Sequence, residues 1–378
     1  MDIIIKEVRN QKDLKTFVKV PFGILRGNPS WVPPLIHDEM ETFDPKKNPA
    51  YENADSRLFI AYRNNLPVGR IAAILSRAAN RKYGTRNLRF GWLDAIEEEP
   101  VFRALLGAVE AWAGELGMET ITGPHGFVDF DPNGMLVEGF DKLCTQSGNY
   151  NPPYYPAMVE KCGFRKEIDY VEFLTTVPTR MGIPAKLLNL ADRVMERGKF
   201  RLIDFRNKKH LMQRAPELFH LLDETFEEIY GAVPLTPRQI DYYVKKYIPY
   251  IDKELIKVVV NEKDEMIGFM ITMPSLSRAL QKAGGKLFPF GWIPIMRALR
   301  HNDVVEFMLA GVRKSYRGQG VDLLMVIELG KTLHKKGFRV AESNQELETN
   351  TKVQAQWKYF NPVQHKRRRI FKKQIVRP

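Results

Sequence analysis

Cysteine is nearly missing: Cys144 and Cys162 are the only two in 378 residues. Two cannot supply the disulfide framework of a small secreted domain, so a reducing, cytoplasmic setting is expected. Long apolar runs are missing too. No stretch approaches the roughly 20 residues that cross a bilayer, so no transmembrane segment is expected. The opening Met1-Asp2-Ile3-Ile4-Ile5-Lys6 is too short for a secretory signal and reads as a first strand. Metal-ligand spacing is lacking as well. His37, His125, His210, His220, His301, His334 and His365 stand without the pattern of a zinc site, and no metal is expected. What is present is an ordinary globular balance, 44% hydrophobic and 27% charged, which excludes wholesale disorder and a coiled-coil rod.

Acid is absent from residues 361–378. Lys366, Arg367, Arg368, Arg369, Lys372, Lys373 and Arg377 there supply seven of the formal net +13. A basic terminus suits nucleic acid or an anionic surface. Yet Ile370, Phe371, Ile375 and Val376 interrupt the charges, and a closing strand with a solvated basic face is the expected form. Nucleic acid is not expected as a partner.

Two halves emerge, 1–180 and 200–378, bridged by an amphipathic helix within 181–199. The first half reads as a strand at 3–8, a helix at 13–26, and two strands at 56–62 and 67–75 around Asn64-Asn65. Val101, Leu105, Val109 and Trp112 recur at helical spacing within 99–117. A strand at 119–121, a helix at 154–161 and a strand at 170–177 close this half. The second half repeats the order. A strand at 200–205 precedes helices at 215–230 and 236–247, with Thr236-Pro237 as N-cap and first helical position. A hairpin spans 256–273, and a strand at 304–312, a helix at 321–336, a strand at 338–342 and a helix at 350–360 follow. The expected fold class is α/β of the α+β type, two tandem domains with mixed, mostly antiparallel sheets.

The sharpest local signal is Val312-Arg313-Lys314-Ser315-Tyr316-Arg317-Gly318-Gln319-Gly320-Val321, between a buried strand and a helix. Glycines there let the backbone turn tightly and bring several N–H groups to one point. The following helix adds its unsatisfied amides and positive dipole end, so the site suits a pyrophosphate. A P-loop is excluded, because no Gly-Lys-Ser/Thr ends the loop, and a dinucleotide fingerprint is excluded, because the third glycine is missing.

Tyr316-Arg317-Gly318-Gln319-Gly320 and its position resemble the R/Q-x-x-G-x-G/A loop of the GNAT superfamily of acyl-CoA-dependent N-acyltransferases. The resemblance covers essentially all of 200–378. It implies that Val312, Lys314, Ser315, Tyr316, Arg317, Gly318, Gln319, Gly320 and Val321 hold the pyrophosphate of acetyl-CoA or another acyl-CoA. Ser315 stands where Arg or Gln is usual, and Asp322 where a small residue is usual. The first half is similar in element order and in Cys162-Gly163-Phe164 after its last helix. Its own junction, Asp94-Ala95-Ile96-Glu97-Glu98-Glu99-Pro100, has no glycine and is acidic, so this copy is expected to be degenerate as a CoA site.

The chemistry implied is attack of a deprotonated amine on a thioester, which needs a base, an oxyanion donor and an acid for the thiolate. Glu306, among apolar neighbours on the strand leading to the loop, is the candidate base. Asn344 on the next strand could orient an amide or water. Asn350 opens the last helix. Trp357 takes the place of the family's thiolate-protonating tyrosine, and Tyr359, two residues on, is the candidate acid. The expected acceptor is a small-molecule or peptidic amine bound between the domains. Alternatives are an aminoacyl-tRNA-dependent transferase of the tandem type, or a non-catalytic ligand-binding protein that kept the fold. Residues 123–134 form either a cleft-lining loop, with His125 and Asp129 as polar groups, or a plain connection. The apolar insertion 287–296 could cap an acyl tunnel, touch a membrane peripherally or pack against the other domain.

Overall fold

The computed structural model describes residues 2–177, 185–351, 354 and 360–375. It is a mixed α/β structure that divides into two compact units. One comprises Met1–Val171, Leu276–Ile295 and His365–Pro378; the other comprises Glu172–Ser275 and Met296–Gln364.

The first unit begins with β1 (Ile4–Glu7), α1 (Gln11–Ile24) and α2 (Ile36–Thr42). Asn10 caps α1, its side-chain oxygen accepting from the amides of Lys12 and Asp13, both at 3.0 Å. The long hairpin of β2 (Ala54–Arg63) and β3 (Leu66–Ser76) turns at Asn64 and Asn65, with φ of 50° and 61°. Asparagine tolerates this left-handed region, which the hairpin twist requires. Then come α3 (Arg77–Tyr83), β4 (Asn87–Ala95), α4 (Glu99–Glu115), β5 (Thr120–Gly123), β6 (Met135–Glu138), α5 (Tyr154–Lys161) and β7 (Arg165–Thr176). Val101, Leu105, Val109 and Trp112 form one buried stripe of α4. They share a core with Ile71, Phe90 and Phe164, each fully buried aliphatic contributing about 1.5–3 kcal/mol.

The second unit holds α6 (Ala185–Gly198), β8 (Arg201–Leu202), α7 (Lys208–Phe226), α8 (Pro237–Tyr247), β9 (Ile256–Val260) and β10 (Met266–Pro274). It also holds β11 (Val304–Val312), α11 (Val321–Lys335), β12 (Val340–Ser343) and β13 (Glu346–Leu347), whereas α9 (Ser277–Ala283), the start of α10 (Trp292–Arg300) and nearly all of β14 (Val363–Gln374) belong to the first unit. Thr236 and Gln239 form a full capping box on α8. Leu324, Met325 and Leu333 of α11 pack with Val259, Ile267 and Val305 of the sheet.

The compact units do not follow the division at residue 180. In the first unit the order is β1-β2-β3-β4-β5-β14-β7, so the last strand of the chain lies beside β5. Phe371 pairs with Gly123 and Gln374 with Thr120. In the second unit the end of β7 pairs with β12, Thr176 opposite Val340. Each unit thus has a closing strand from the far half of the sequence. Backbone donors and acceptors of a strand need partners from wherever the chain supplies them.

This placement decides the role of the basic tail. Lys366 and Arg368 are buried, and Arg368 donates to the sulfur of Cys144 at 3.3 Å and to the carbonyl of Asn149. Arg369 meets Asp169 at 2.8 Å, Arg367 meets Glu138 at 3.1 Å, and Lys373 meets Glu110 at 2.6 Å. The tail is a sheet strand in which Arg367, Arg369, Lys372 and Lys373 have acidic partners.

Candidate functional site

β11 is the axis of the site. It is antiparallel to β10 along its length, whereas its parallel ladder to β12 covers Val304–Phe307. β11 runs on to Val312, so the two parallel strands part at Phe307. Asn344 sits at that fork, its amide donating to the Phe307 carbonyl at 3.2 Å. Its side-chain oxygen is buried and has no partner among the described residues. An unpaired buried acceptor is costly, which makes it a natural receiver for a ligand N–H or water.

Glu306, just before the fork, is 1% exposed, and the Ser275 hydroxyl donates to it at 2.6 Å. Glu342 of β12 is its register partner, and Glu172 of β7 is also buried. Carboxylate oxygens of Glu172 and Glu342 lie within 4.8 Å of each other. Sequence reading isolated only Glu306; an acid inside the apolar runs Tyr170-Val171-Glu172-Phe173-Leu174 and Val340-Ala341-Glu342 was the available signal for the other two.

At the far end of β11 the glycine loop stands largely exposed. A short 3₁₀ turn, Lys314–Tyr316, precedes Gly318 at φ 78° and Gly320 at φ 83°. Gly320 is the N-cap of α11, and no side-chain cap hydrogen bond is made there among the described residues. A Cβ on Gly320 would come within 2.8 Å of Val194, whereas one on Gly318 would meet nothing within 4 Å. Tyr316 is a support: its hydroxyl takes a 3.0 Å bond from Asn261, and its ring meets Phe200 edge-on at 5.9 Å. Val321 is buried in the core below. Gln319 donates to the Ser315 carbonyl at 2.9 Å, closing the loop on itself.

The loop cations have a partner that sequence did not suggest. Lys314 and Arg317 both bind Glu228, at 2.8 and 3.1 Å, and Arg317 also donates to the Val312 carbonyl at 3.1 Å. Hydrogen bonds from Lys314 and Arg317 hold the Glu228 carboxyl below its usual range. Glu228 is exposed, so these pairs are weak. The Asn350 carbonyl accepts from the Gln354 amide at 3.2 Å, and most of the helix expected over 350–360 lies outside the described residues. Tyr359 and Trp357 lie outside the described residues.

The first unit differs at the corresponding fork, where β4 and β5 pair from Asn87 to Arg89 and β4 continues to Ala95. Tyr155 accepts from the Ala95 amide and Tyr154 donates to its carbonyl, both at 2.8 Å. The strand end that could pair with a ligand is occupied by two phenols. Asp94 faces inward instead of toward a phosphate site, binding buried Arg70 at 2.7 Å. Burial raises its pKa, and Arg70 offsets part of that rise. Arg70 also approaches Glu39 at 3.6 Å and covers the Phe17 ring. The loop after β5 is packed: His125 is buried with its pKa pushed down by desolvation, and Asp131 accepts from the amides of Phe127 and Val128. It is a buried connection, with Asp129 at its half-buried edge.

No protein-family model matches the chain. It is 28% identical to Protein YghO of Escherichia coli K12 over 98% of this chain and 95% of that one. It is 26% identical to a bacterial ceramide synthase of Caulobacter vibrioides, over 99% and 98%. A tandem GNAT protein from the clavulanic acid biosynthesis pathway superposes over 100% of both chains with a TM-score of 0.57 at 12% identity. With the glycine loop, the forked parallel strands and two units that each carry such a fork, the chain has the fold of tandem GNAT proteins.

Proposed function

We propose that this protein is an N-acyltransferase that moves an acyl group from an acyl-CoA to an amine, with the donor held by the second unit. The observation that carries the reading is that β11 joins an anion cradle to a buried carboxylate. Glu306 and Val312 are six residues apart on one strand, on the order of 20 Å at about 3.3 Å per residue. A substrate with its anionic end at Gly318–Gly320 and its reactive end near Glu306 has to be thin and extended. A pyrophosphate linked through a pantetheine arm to a thioester has that form. The uncapped α11 N-terminus and the left-handed glycines suit the pyrophosphate.

In this reading Glu306 takes the proton from the attacking ammonium group, directly or through water, and Ser275 fixes its carboxylate. The amine nitrogen bonds to the acyl carbon, the carbon–sulfur bond breaks, and the thiolate leaves with a proton from the site. The Asn344 oxygen would accept from the acceptor amine or the relaying water, a role its buried position supports. The name of the Caulobacter relative suggests the acceptor class, since a ceramide is the amide of a long-chain amino alcohol.

Incubation of the pure protein with acyl-CoAs of graded length and with sphinganine tests this. Free thiol should appear together with the amide mass. Absence of thiol release with long-chain and simple amines alike would overturn the reading.

A further inference from the structure

We infer that the segment 287–300 docks the protein on an anionic lipid bilayer. It is held at its base and bare at its tip. At the base, Gln281 of α9 donates to the carbonyls of Pro29 and Trp31, both at 2.8 Å, and the Gly285 carbonyl accepts from the Ile36 amide at 2.9 Å. A Cβ on Gly285 would strike the Phe22 ring at 2.5 Å, so the chain passes tightly against α1. Beyond that anchor, Phe288 and Phe290 are 79% and 72% exposed, and Trp292 and Ile293 are 46% exposed each. Large apolar side chains so exposed and so close together mark a contact surface.

The helix that follows points the same way. At about 100° per residue, Trp292, Ile293, Met296, Arg297 and Arg300 fall within one arc of about 140°. All five are exposed, while Pro294, Ile295, Ala298 and Leu299 on the other side are half-buried. The exposed arc is apolar near the phenylalanine tip and basic one turn further on. Charge selects the partner. From 276 to 302 the sequence carries Arg278, Lys282, Lys286, Arg297 and Arg300 and no acid, and all five bases are exposed. Aromatics that enter the acyl boundary, rimmed by bases at the headgroup level, fit an anionic membrane surface. A second copy of this chain fits poorly, because a two-fold contact would set these bases against themselves. The inference does not depend on the transferase reading, though an amphiphilic acceptor would be met at such a surface.

Cosedimentation of the full chain with vesicles tests it. Vesicles of phosphatidylcholine with phosphatidylglycerol should bind at least about 10-fold more tightly than phosphatidylcholine alone. Replacing Phe288, Phe290 and Trp292 together by Ser should weaken that binding by about 10-fold or more with the circular dichroism spectrum unchanged. The pair Arg297→Glu and Arg300→Glu should do the same. Failure of the parent to bind would overturn the inference. Undiminished binding of the aromatic variant would also overturn it, assigning the affinity to the general basic surface. Self-association that the aromatic variant abolishes, with vesicle binding untouched, would assign the patch to a second copy.

Discussion

The Ser275 hydroxyl donates a 2.6 Å hydrogen bond to Oε1 of Glu306, tying the end of β10 to the buried acid that stands opposite Glu342 at the fork of β11 and β12. Glu306 is 1% exposed, so this bond sets the orientation of a carboxylate that water hardly reaches. Glu306→Gln keeps size and acceptor oxygen while removing basicity. Turnover should fall by about 100-fold or more with donor affinity retained. Ser275→Ala should lower kcat less and leave KM nearly unchanged. Steady-state kinetics beside donor calorimetry separates these outcomes, and unchanged turnover in Glu306→Gln would remove it from the mechanism.

The two loop glycines offer a graded test of the anion cradle. Gly318→Ala places a methyl in open space at φ 78°, and Gly320→Val drives a branched side chain toward Val194 at φ 83°. The first should cost about 1 kcal/mol in stability and weaken CoA binding modestly. The second should cost about 1–3 kcal/mol or more and abolish binding. Thermal melts and calorimetry read both. Full affinity in Gly320→Val would place the phosphates elsewhere.

One donor site per chain is expected, because the Ala95 amide and carbonyl in the first unit are taken by Tyr155 and Tyr154. Calorimetric stoichiometry checks this, and two equivalent sites would refute it. Tyr155→Phe should destabilise the protein by about 1–3 kcal/mol by leaving a buried amide unpaired.

Asp169 links stability to pH. Burial alone would raise its pKa, but bonds from Arg369 and Lys166 bring it below the usual 3.8. A depressed carboxyl pKa stabilises the fold above 3.8 and loses that contribution as pH falls through the folded value. Asp169→Asn should therefore lower Tm at neutral pH, and its gap to the parent should shrink below pH 3.8. A constant gap across that range would contradict the linkage.

Deletion of residues 365–378 should unfold the first unit, since β14 pairs with β5 and buries Phe371 in its core. Proteolysis and circular dichroism report this. A stable truncated protein that had merely lost RNA affinity would restore the view of a detachable basic arm.

Much of the fold was legible because it is local. Asn64-Asn65 announces its hairpin, Thr236-Pro237 its helix start, and the apolar spacing in 99–117 the buried face of α4. β4 was harder to read: Asn87–Ala95 is buried nearly throughout and lacks the period-two alternation of a half-exposed strand. Glu306 was legible as an acid among apolar neighbours, whereas Glu228, which holds Lys314 and Arg317, was not. It sits after α7, more than 80 residues upstream, and no local pattern marks a salt-bridge partner.

By itself the sequence determined the glycine loop, since only glycine enters φ near 80° without strain and only a strand-to-helix junction uses it there. It determined the acid on β11 and the apolar faces that decide where each helix lies. Tertiary structure alone decided which strand closes which unit. Backbone hydrogen bonds carry no residue code, so nothing in the order of residues says that Phe371 will sit opposite Gly123 or Thr176 opposite Val340. It decided too that Tyr154 and Tyr155 fill the fork of β4 while the Asn344 oxygen at the fork of β11 has no partner among the described residues. That difference depends on side chains meeting across the sheet, a distance in space that sequence separation does not encode.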